Sequence, residues 1–367
     1  MVRMERCVAL IAASAIVVSA TCETGTGAGR ADAETRRLTA ASWNLEAFFD
    51  AEEAGAEYGE YTEAAGWTEA KFRGRMERLT AAAAAMAEGG PDLLAVQEIE
   101  NAATLEALAA GPLAEFGYRW TAFAGEPGGA LGVGLLSRYA LSAVRVHSVG
   151  TPGAEAPRPI LEARLEPGGA PLAVFVCHWK SKLGGEEATE ERRRASAASL
   201  GRRVAELAAA DPAVGVLALG DLNENVDEFE RRGAGYPTAL LPDTDEAERA
   251  LEAARANAAF AFVGPALVVT AAKPPEAAGL DDAVAVYSPW LESAWPGSYR
   301  YQGGWETIDH ALVARSLFDG AGWEYAAFSV VDLPPLTDAS GSPAGYDPRT
   351  GVGLSDHLPI VVELERR

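Results

Sequence analysis

From residue 38 to the end of the chain, short apolar runs alternate with stretches of helical period. The runs at 38–43, 92–96, 131–136, 159–165, 172–177, 214–219, 308–313 and 358–364 are almost wholly apolar, as strands buried inside a sandwich are. Helices are predicted at 68–88, from the capping Thr68 to Gly89-Gly90; at 101–110, stopped by Gly111; and at 186–210, rich in Arg, Glu and Ala and closed by Asp211-Pro212. Residues 233–300 are rich in Pro, Gly and Ala with weak periodicity, and read as long loops. No repeat and no composition break divides 38–367, which is taken as one domain.

The N-terminus has a different pattern. Arg3 and Arg6 precede an uncharged run at 8–20, too short for the roughly 20 apolar residues a membrane span needs. Residues 1–20 therefore read as a cleaved secretory signal, with Val18-Ser19-Ala20 as the small-residue cleavage site. A flexible linker is placed over 21–37. The expected location is outside the cytoplasm: periplasmic, extracellular or on the cell surface, the last through a lipid anchor at Cys22. Thr21 is an unusual residue to precede such a cysteine. The chain has three cysteines, Cys7, Cys22 and Cys177, so the mature domain has no internal disulfide.

Composition adds two limits. At 23% charged residues the chain is not compositionally disordered. Its net charge of -22 disfavours tight, non-specific DNA binding, although a bound cation can supply local positive charge.

Chemistry gathers at the edges of the apolar runs. Asn44 ends the first, Glu98 the second (after Gln97), His178 the run at 172–177, and Asp221 and Asn223 the run at 214–219. Asp309 lies near the start of its run, and Asp356-His357 immediately precede the last. If all of them meet at one rim, the last two strands run opposite to the first four, which requires mixed sheets. Carboxylate and amide oxygens suit Mg²⁺, Mn²⁺ or Ca²⁺. Zinc spacing, a Walker loop and a Gly-x-Ser-x-Gly elbow are absent from the sequence.

Asn44, Gln97-Glu98, His178, Gly220-Asp221-Leu222-Asn223, Ile308-Asp309 and Ser355-Asp356-His357-Leu358-Pro359 follow in the order and spacing of the DNase I-like endonuclease/exonuclease/phosphatase superfamily, which the chain resembles over about 38–365. The resemblance implies an α/β fold, a four-layer α/β/β/α sandwich of two mixed β-sheets, and a Mg²⁺-dependent phosphoesterase, with Mn²⁺ as substitute. It implies metal ligands at Glu98, Asn44 and Asp356. It implies that Asp221 orients or deprotonates water, that Asn223 and His178 lie at the phosphate, and that Asp309 orients the acid/base His357.

The expected substrate is a nucleic acid or related phosphodiester, with no stable protein partner. The alternatives are a sphingomyelinase-like lipid phosphodiesterase and a non-catalytic surface-binding protein on the same fold. The connections at 47–67 and 225–290 are longer than in simple members, and such loops set substrate choice. The superfamily's inositol phosphatases have Trp-Cys-Asp-Arg where this chain has Thr307-Ile308-Asp309-His310.

Other residues have plainer readings. His147 is read as a surface or satisfied histidine. Strand alternation puts Cys177 opposite His178, in the core with Phe175, and likewise His310 opposite Asp309. Lys180, Lys182 and Arg192 to Arg194 read as a solvated face before a phosphate-binding one. Trp290, Trp295, Tyr299, Tyr301 and Trp305 read mostly as packing, with base stacking or a lipid contact as the other uses.

Overall fold

The computed structural model describes residues 16–20, 35–150, 157–243, 245–256, 263–276, 280 and 282–367. Strands and helices are numbered along the chain. The first sheet has seven strands, in the order β1 (Ile16–Ala20), β4 (Trp120–Ala124), β5 (Gly132–Ser137), β3 (Leu93–Ile99), β2 (Arg37–Phe48), β17 (Ile360–Arg366) and β16 (Trp323–Val330). The second has eight: β10 (Leu240–Pro242), β11 (Ala266–Thr270), β12 (Ala283–Tyr287), β15 (Asp309–Val313), β9 (Gly215–Asp221), β8 (Leu172–His178), β7 (Ile160–Leu165) and β6 (Leu141–His147). A separate hairpin joins β13 (Tyr299–Tyr301) to β14 (Gly304–Glu306).

Both sheets are mixed in the sense the strand-end residues require. β2 runs parallel to β3, and β8 parallel to β9. β17 runs antiparallel to β2, and β15 antiparallel to β9. The C-terminal ends of four strands and the N-terminal ends of two thus share one rim.

The helices form where the sequence places them. Helix α1 (Glu69–Met86) is capped by the Thr68 hydroxyl accepting from Lys71 N, and α2 (Ala102–Ala110) by Asn101 accepting from Thr104 N. Helix α3 (Glu186–Ala210) matches its predicted bounds. Phe72 of α1 lies on Phe48 of the first sheet. On the second sheet, Ala195, Ala197, Leu200 and Val204 of α3 share a core with Phe175 and Cys177.

One stretch departs from the sequence expectation. Residues 233–300 are not simply long loops: after the short α4 (Glu228–Arg231) they supply β10, α5 (Asp245–Ala256), β11 and β12. Runs of only three to five residues, as at β10 and β11, are too short to show the periodicity of a longer strand. Ile16–Ala20, read as the end of the export segment, pair along the free edge of β4. Residues 1–15 and 21–34, including Cys22 and most of the linker, lie outside the described residues.

Side-chain alternation does the positioning. In β8, Leu172, Val174 and Val176 enter the core between the sheets, while Ala173, Phe175 and Cys177 face α3. By the same parity His178 points between the sheets. β9 and β15 repeat the pattern: Leu217, Leu219, Ala311 and Val313 line the inter-sheet core, so Asp221 and Asp309 continue that face. Cys177 and His310 are indeed on the other side. Burial pushes the Cys177 thiol up to about 12 and His310 down to about 4, and His310 Nε2 contacts Glu224 O at 2.8 Å.

Arg193 and Arg194 are not a solvated face. Both are buried; Arg193 bonds Glu190 and Glu224, and Arg194 the carbonyl of Pro237. A second buried network centres on Glu162 of β7, which meets Arg203 at 2.7 and 3.0 Å and His147 at 2.7 Å. His147 is therefore a satisfied histidine. Burial opposes the Glu162 charge, but His147 and Arg203 hold its carboxyl well below the usual range. Its folded pKa is depressed, so its stabilisation is complete above the unfolded value of about 4.3 and is lost as pH falls through the folded value. Glu162→Gln is expected to cost about 3 kcal/mol at pH 7 and to flatten the acid side of the stability curve. Thermal melts from pH 7 to pH 3 check this, and an unchanged melt at pH 7 would show the network to be neutral.

Candidate active site

The strand ends that carry the chemistry are not regular. β2 slips register between Asn44 and Phe48, and β3 between Gln97 and Ile99. Within these bulges Glu46, Ala47 and Glu98 have φ of 53°, 51° and 61°, and Asn223 has 51°. Left-handed backbone at non-glycine residues costs of order 1–3 kcal/mol each and marks places where surroundings impose the conformation. At Glu46 and Ala47, Arg75 of α1 imposes it. The fully buried guanidinium donates to the carbonyls of Leu45, Glu46, Ala47 and Leu354, and lies 3.8 Å from the Tyr346 ring centroid. Gly220 has a related role. A Cβ there would lie 1.9 Å from the Cys177 carbonyl oxygen, so only glycine lets β9 approach β8 just before Asp221.

The predicted residues converge across the gap between the sheets. From the first sheet, Asn44 Nδ2 donates to Asp221 Oδ2 of the second at 3.0 Å and to Glu98 Oε1 at 3.4 Å. Glu98 Oε2 accepts from Ala47 N at 2.8 Å. His178 Nε2 lies 3.7 Å from Glu98 Oε1 and 3.5 Å from Asp221 Oδ2. His357 Nδ1 meets Asp309 Oδ2 at 2.9 Å, leaving Nε2 toward the cleft, 3.8 Å from Asp356 Oδ1. Asn223 is tied back by its own N–H to Asp221 Oδ1 at 2.8 Å and by Nδ2 to Trp179 O at 3.3 Å. Asn44, His178, Asp221, Asp309 and His357 are buried, whereas Glu98, Asn223 and Asp356 form a half-open lip.

Several supports had no such role assigned from the sequence. Ser298 Oγ donates to the same Asp309 oxygen at 2.6 Å, and Trp290 Nε1 to the Asp309 carbonyl at 2.8 Å. Trp43 Nε1 donates to His357 O, and Ser355 Oγ to Asn44 O. Glu46 Oε2 accepts from Asp356 N and Tyr346 N, fixing the segment that presents Asp356 and His357. Arg158 donates to Trp179 O at 3.0 Å, beside His178.

Charge divides the titratable groups. Burial pushes the Asp221 carboxyl up to about 7; His357 pulls it down and Asp309 pushes it further up. Burial disfavours the His357 cation, but Asp309, Asp356 and Asp221 together hold its pKa well above the usual histidine value. Burial, followed by the charges of Arg158, His357 and Lys180, keeps His178 well below it. At neutral pH the cleft thus holds a carboxyl near its titration point, a neutral imidazole and an imidazolium locked to a carboxylate, the separation that acid–base work uses.

The model of the endonuclease/exonuclease/phosphatase family matches residues 41–357. The chain belongs to that family. Its members are usually hydrolases of phosphodiester bonds and typically use a divalent metal. A comparison with curated protein sequences gives no match. Among solved structures, a humanised zebrafish (D. rerio) TDP2 is similar at 13% identity and TM-score 0.52, over 90% of this chain and 99% of that one. Truncated Caenorhabditis elegans TDP2 is similar at 14% and 0.51, over 90% and 97%. The human Nocturnin catalytic domain with bound sulfate anion is similar at 16% and 0.50, over 90% and 93%. At such identities the likeness shows the shared fold of two mixed sheets with helices.

The donors present suit a hard divalent cation. Among the described residues, Asp221, Asp309 and His357 place one ligand atom each within 4.8 Å of one another and could hold a metal ion. Asp309 Oδ1 is buried without a hydrogen-bond partner. That trio consists of residues the resemblance assigns to proton transfer, whereas Asn44, Glu98 and Asp356 are the ones it assigns to the metal. The His357 ring nitrogen Nδ1 is already engaged by Asp309, so the half-open carboxylates of Glu98 and Asp356 suit Mg²⁺ better; the Asn44 oxygen accepts from Glu46 N at 2.9 Å.

Proposed function

We propose that this family member is an exported, Mg²⁺-dependent phosphodiesterase acting on nucleic acid or a closely related phosphodiester. The observation that carries the reading is the His357–Asp309 pair of 2.9 Å, with Asp221 as the cross-strand neighbour of Asp309. A binding protein has no use for an imidazolium beside a carboxyl poised near neutrality.

In this reading Glu98, with Asn44 and Asp356, holds Mg²⁺, for which Mn²⁺ substitutes. Bound there, the ion would supply positive charge for the non-bridging phosphate oxygens and polarise water. Asp221 accepts the proton of the attacking water. His357, kept protonated by Asp309, donates from Nε2 to the phosphoryl group as negative charge builds. His178 is neutral and hydrogen-bonds the same group, and Asn223 offers its free amide hydrogen beside it.

Nucleic acid is favoured over a membrane lipid by where the tryptophans lie. Trp290 is buried against Phe328 and Asp309, and Trp295 is half-buried against the main core, so neither is presented to a bilayer. The test is hydrolysis at low salt in Mg²⁺ of plasmid DNA, single-stranded DNA, RNA, sphingomyelin and inositol phosphates, with His357→Ala as control. DNA or RNA cleavage absent from the control is expected. Sphingomyelin cleavage with DNA and RNA untouched overturns the substrate. Mass spectrometry of native material addresses export: loss of residues 1–20, or a diacylated Cys22, is expected, and an intact Met1 overturns it.

A further inference from the structure

We propose a ring-stacking subsite for a nucleobase at Tyr301, on the hairpin of β13 and β14, adjoining the His357 end of the cleft. The proposal deepens the phosphodiesterase reading and rests on it. Tyr299 and His357 are bridge partners, and their rings stack at 4.5 Å between centroids and 29° between planes. Tyr301 is two residues further on the same strand face. Its ring is nearly parallel to that of Tyr299, at 14°, with centroids 6.5 Å apart. A row of His357, Tyr299 and Tyr301 thus leads outward from the reacting group.

The hairpin holds this row rigidly. Gln302 and Gly303 both have positive φ, 49° and 85°, the two-residue turn that closes tight hairpins. Leu358 N donates to Ser298 O at 2.7 Å and Ser298 N to Glu306 O at 3.0 Å, which ties the hairpin to the His357 segment. The other face of β13 is already occupied: Arg300 lies over its cross-strand partner Trp305 at 5.8 Å.

Tyr301 is different. Its cross-strand partner is Gly304, which has no side chain to cover the ring, and 55% of Tyr301 is exposed. An exposed aromatic two ring steps, of 4.5 and 6.5 Å, from a phosphate-handling histidine fits the planar base of a nucleotide whose phosphate lies at that histidine. It suits an unpaired base, because a base inside a duplex has both faces covered.

The probes are adenosine 5′-monophosphate and ribose 5-phosphate, which differ only in the base. Isothermal titration in Mg²⁺ compares their affinities for the full chain, Tyr301→Phe and Tyr301→Ala. Base stacking on an aromatic predicts that the nucleotide binds about tenfold tighter than the sugar phosphate. The ratio should survive in Tyr301→Phe and fall to within about twofold in Tyr301→Ala. Equal affinities in the wild type, no nucleotide binding, or a ratio unchanged in Tyr301→Ala overturns the subsite. Hydrolysis of bis(p-nitrophenyl) phosphate is measured separately. Equal affinities with hydrolysis intact remove the subsite alone, whereas a base preference without hydrolysis supports the subsite and removes the reaction.

Discussion

Replacing His357 with alanine is expected to lower kcat by about 10²–10⁴ while changing KM little. The imidazole is buried at the end of the cleft, its Nδ1 spent on Asp309 and its Nε2 free for the phosphoryl group. Asp309→Asn should lower kcat to a similar extent, since the amide cannot hold the imidazolium as the carboxylate does. The double variant should be barely worse than either single one, because the two side chains act as a unit. Additive losses would show that Asp309 does not act through His357. The pH profile follows from the same groups. Asp221 must be ionised and His357 protonated, so the rate has an acid limb set by Asp221, whose carboxyl stands at about 7 before an ion binds, and an alkaline limb set by His357. A bound divalent ion moves the acid limb lower. In Asp309→Asn the alkaline limb should shift to lower pH, because the largest influence raising the His357 pKa is gone.

The second large effect concerns the metal. Activity should vanish in EDTA and return with Mg²⁺ or Mn²⁺, and full activity in EDTA would remove the mechanism. Glu98→Gln is the sharper probe. The amide oxygen can still accept from Ala47 N, so the bulge at residues 97–99 survives, but the charge that holds the ion is lost. Half-saturation by Mg²⁺ should rise by at least about tenfold, the loss usual even for groups that only support a ligand. Mg²⁺ should raise the melting temperature of the wild type and scarcely that of Glu98→Gln, as mass action requires of a ligand that binds the folded state. An unshifted Mg²⁺ requirement would move the ion to the Asp221, Asp309 and His357 cluster instead.

Much of this arrangement is legible in the sequence because a β-strand is a ruler. Polar residues at the ends of apolar runs, together with the need to meet at one rim, give the opposed directions of β17 and β15. Alternation places His178 and Asp309 inward and Cys177 and His310 outward. What escapes is everything held by distant contacts. Arg75 sits in an ordinary helical pattern and gives no hint that it clamps the backbone at 45–47. Arg193 looks like one charge in a polar run until Glu224 arrives from beyond β9. Ser298 has no motif around it. β6 and β16 are half-exposed edge strands, so their alternation mixes polar and apolar residues too evenly to register as buried runs.

The site straddles two sheets, and among the described residues no strand of one pairs with a strand of the other. Asn44, Glu98, Asp356 and His357 belong to one; His178, Asp221, Asn223 and Asp309 to the other. In the proposed reaction the cation sits on the first sheet, and the base and two phosphate-facing groups on the second. The cleft therefore works as a coincidence detector. A compound that docks on one sheet alone meets half the chemistry, and only a phosphate that reaches both at once is offered the whole of it.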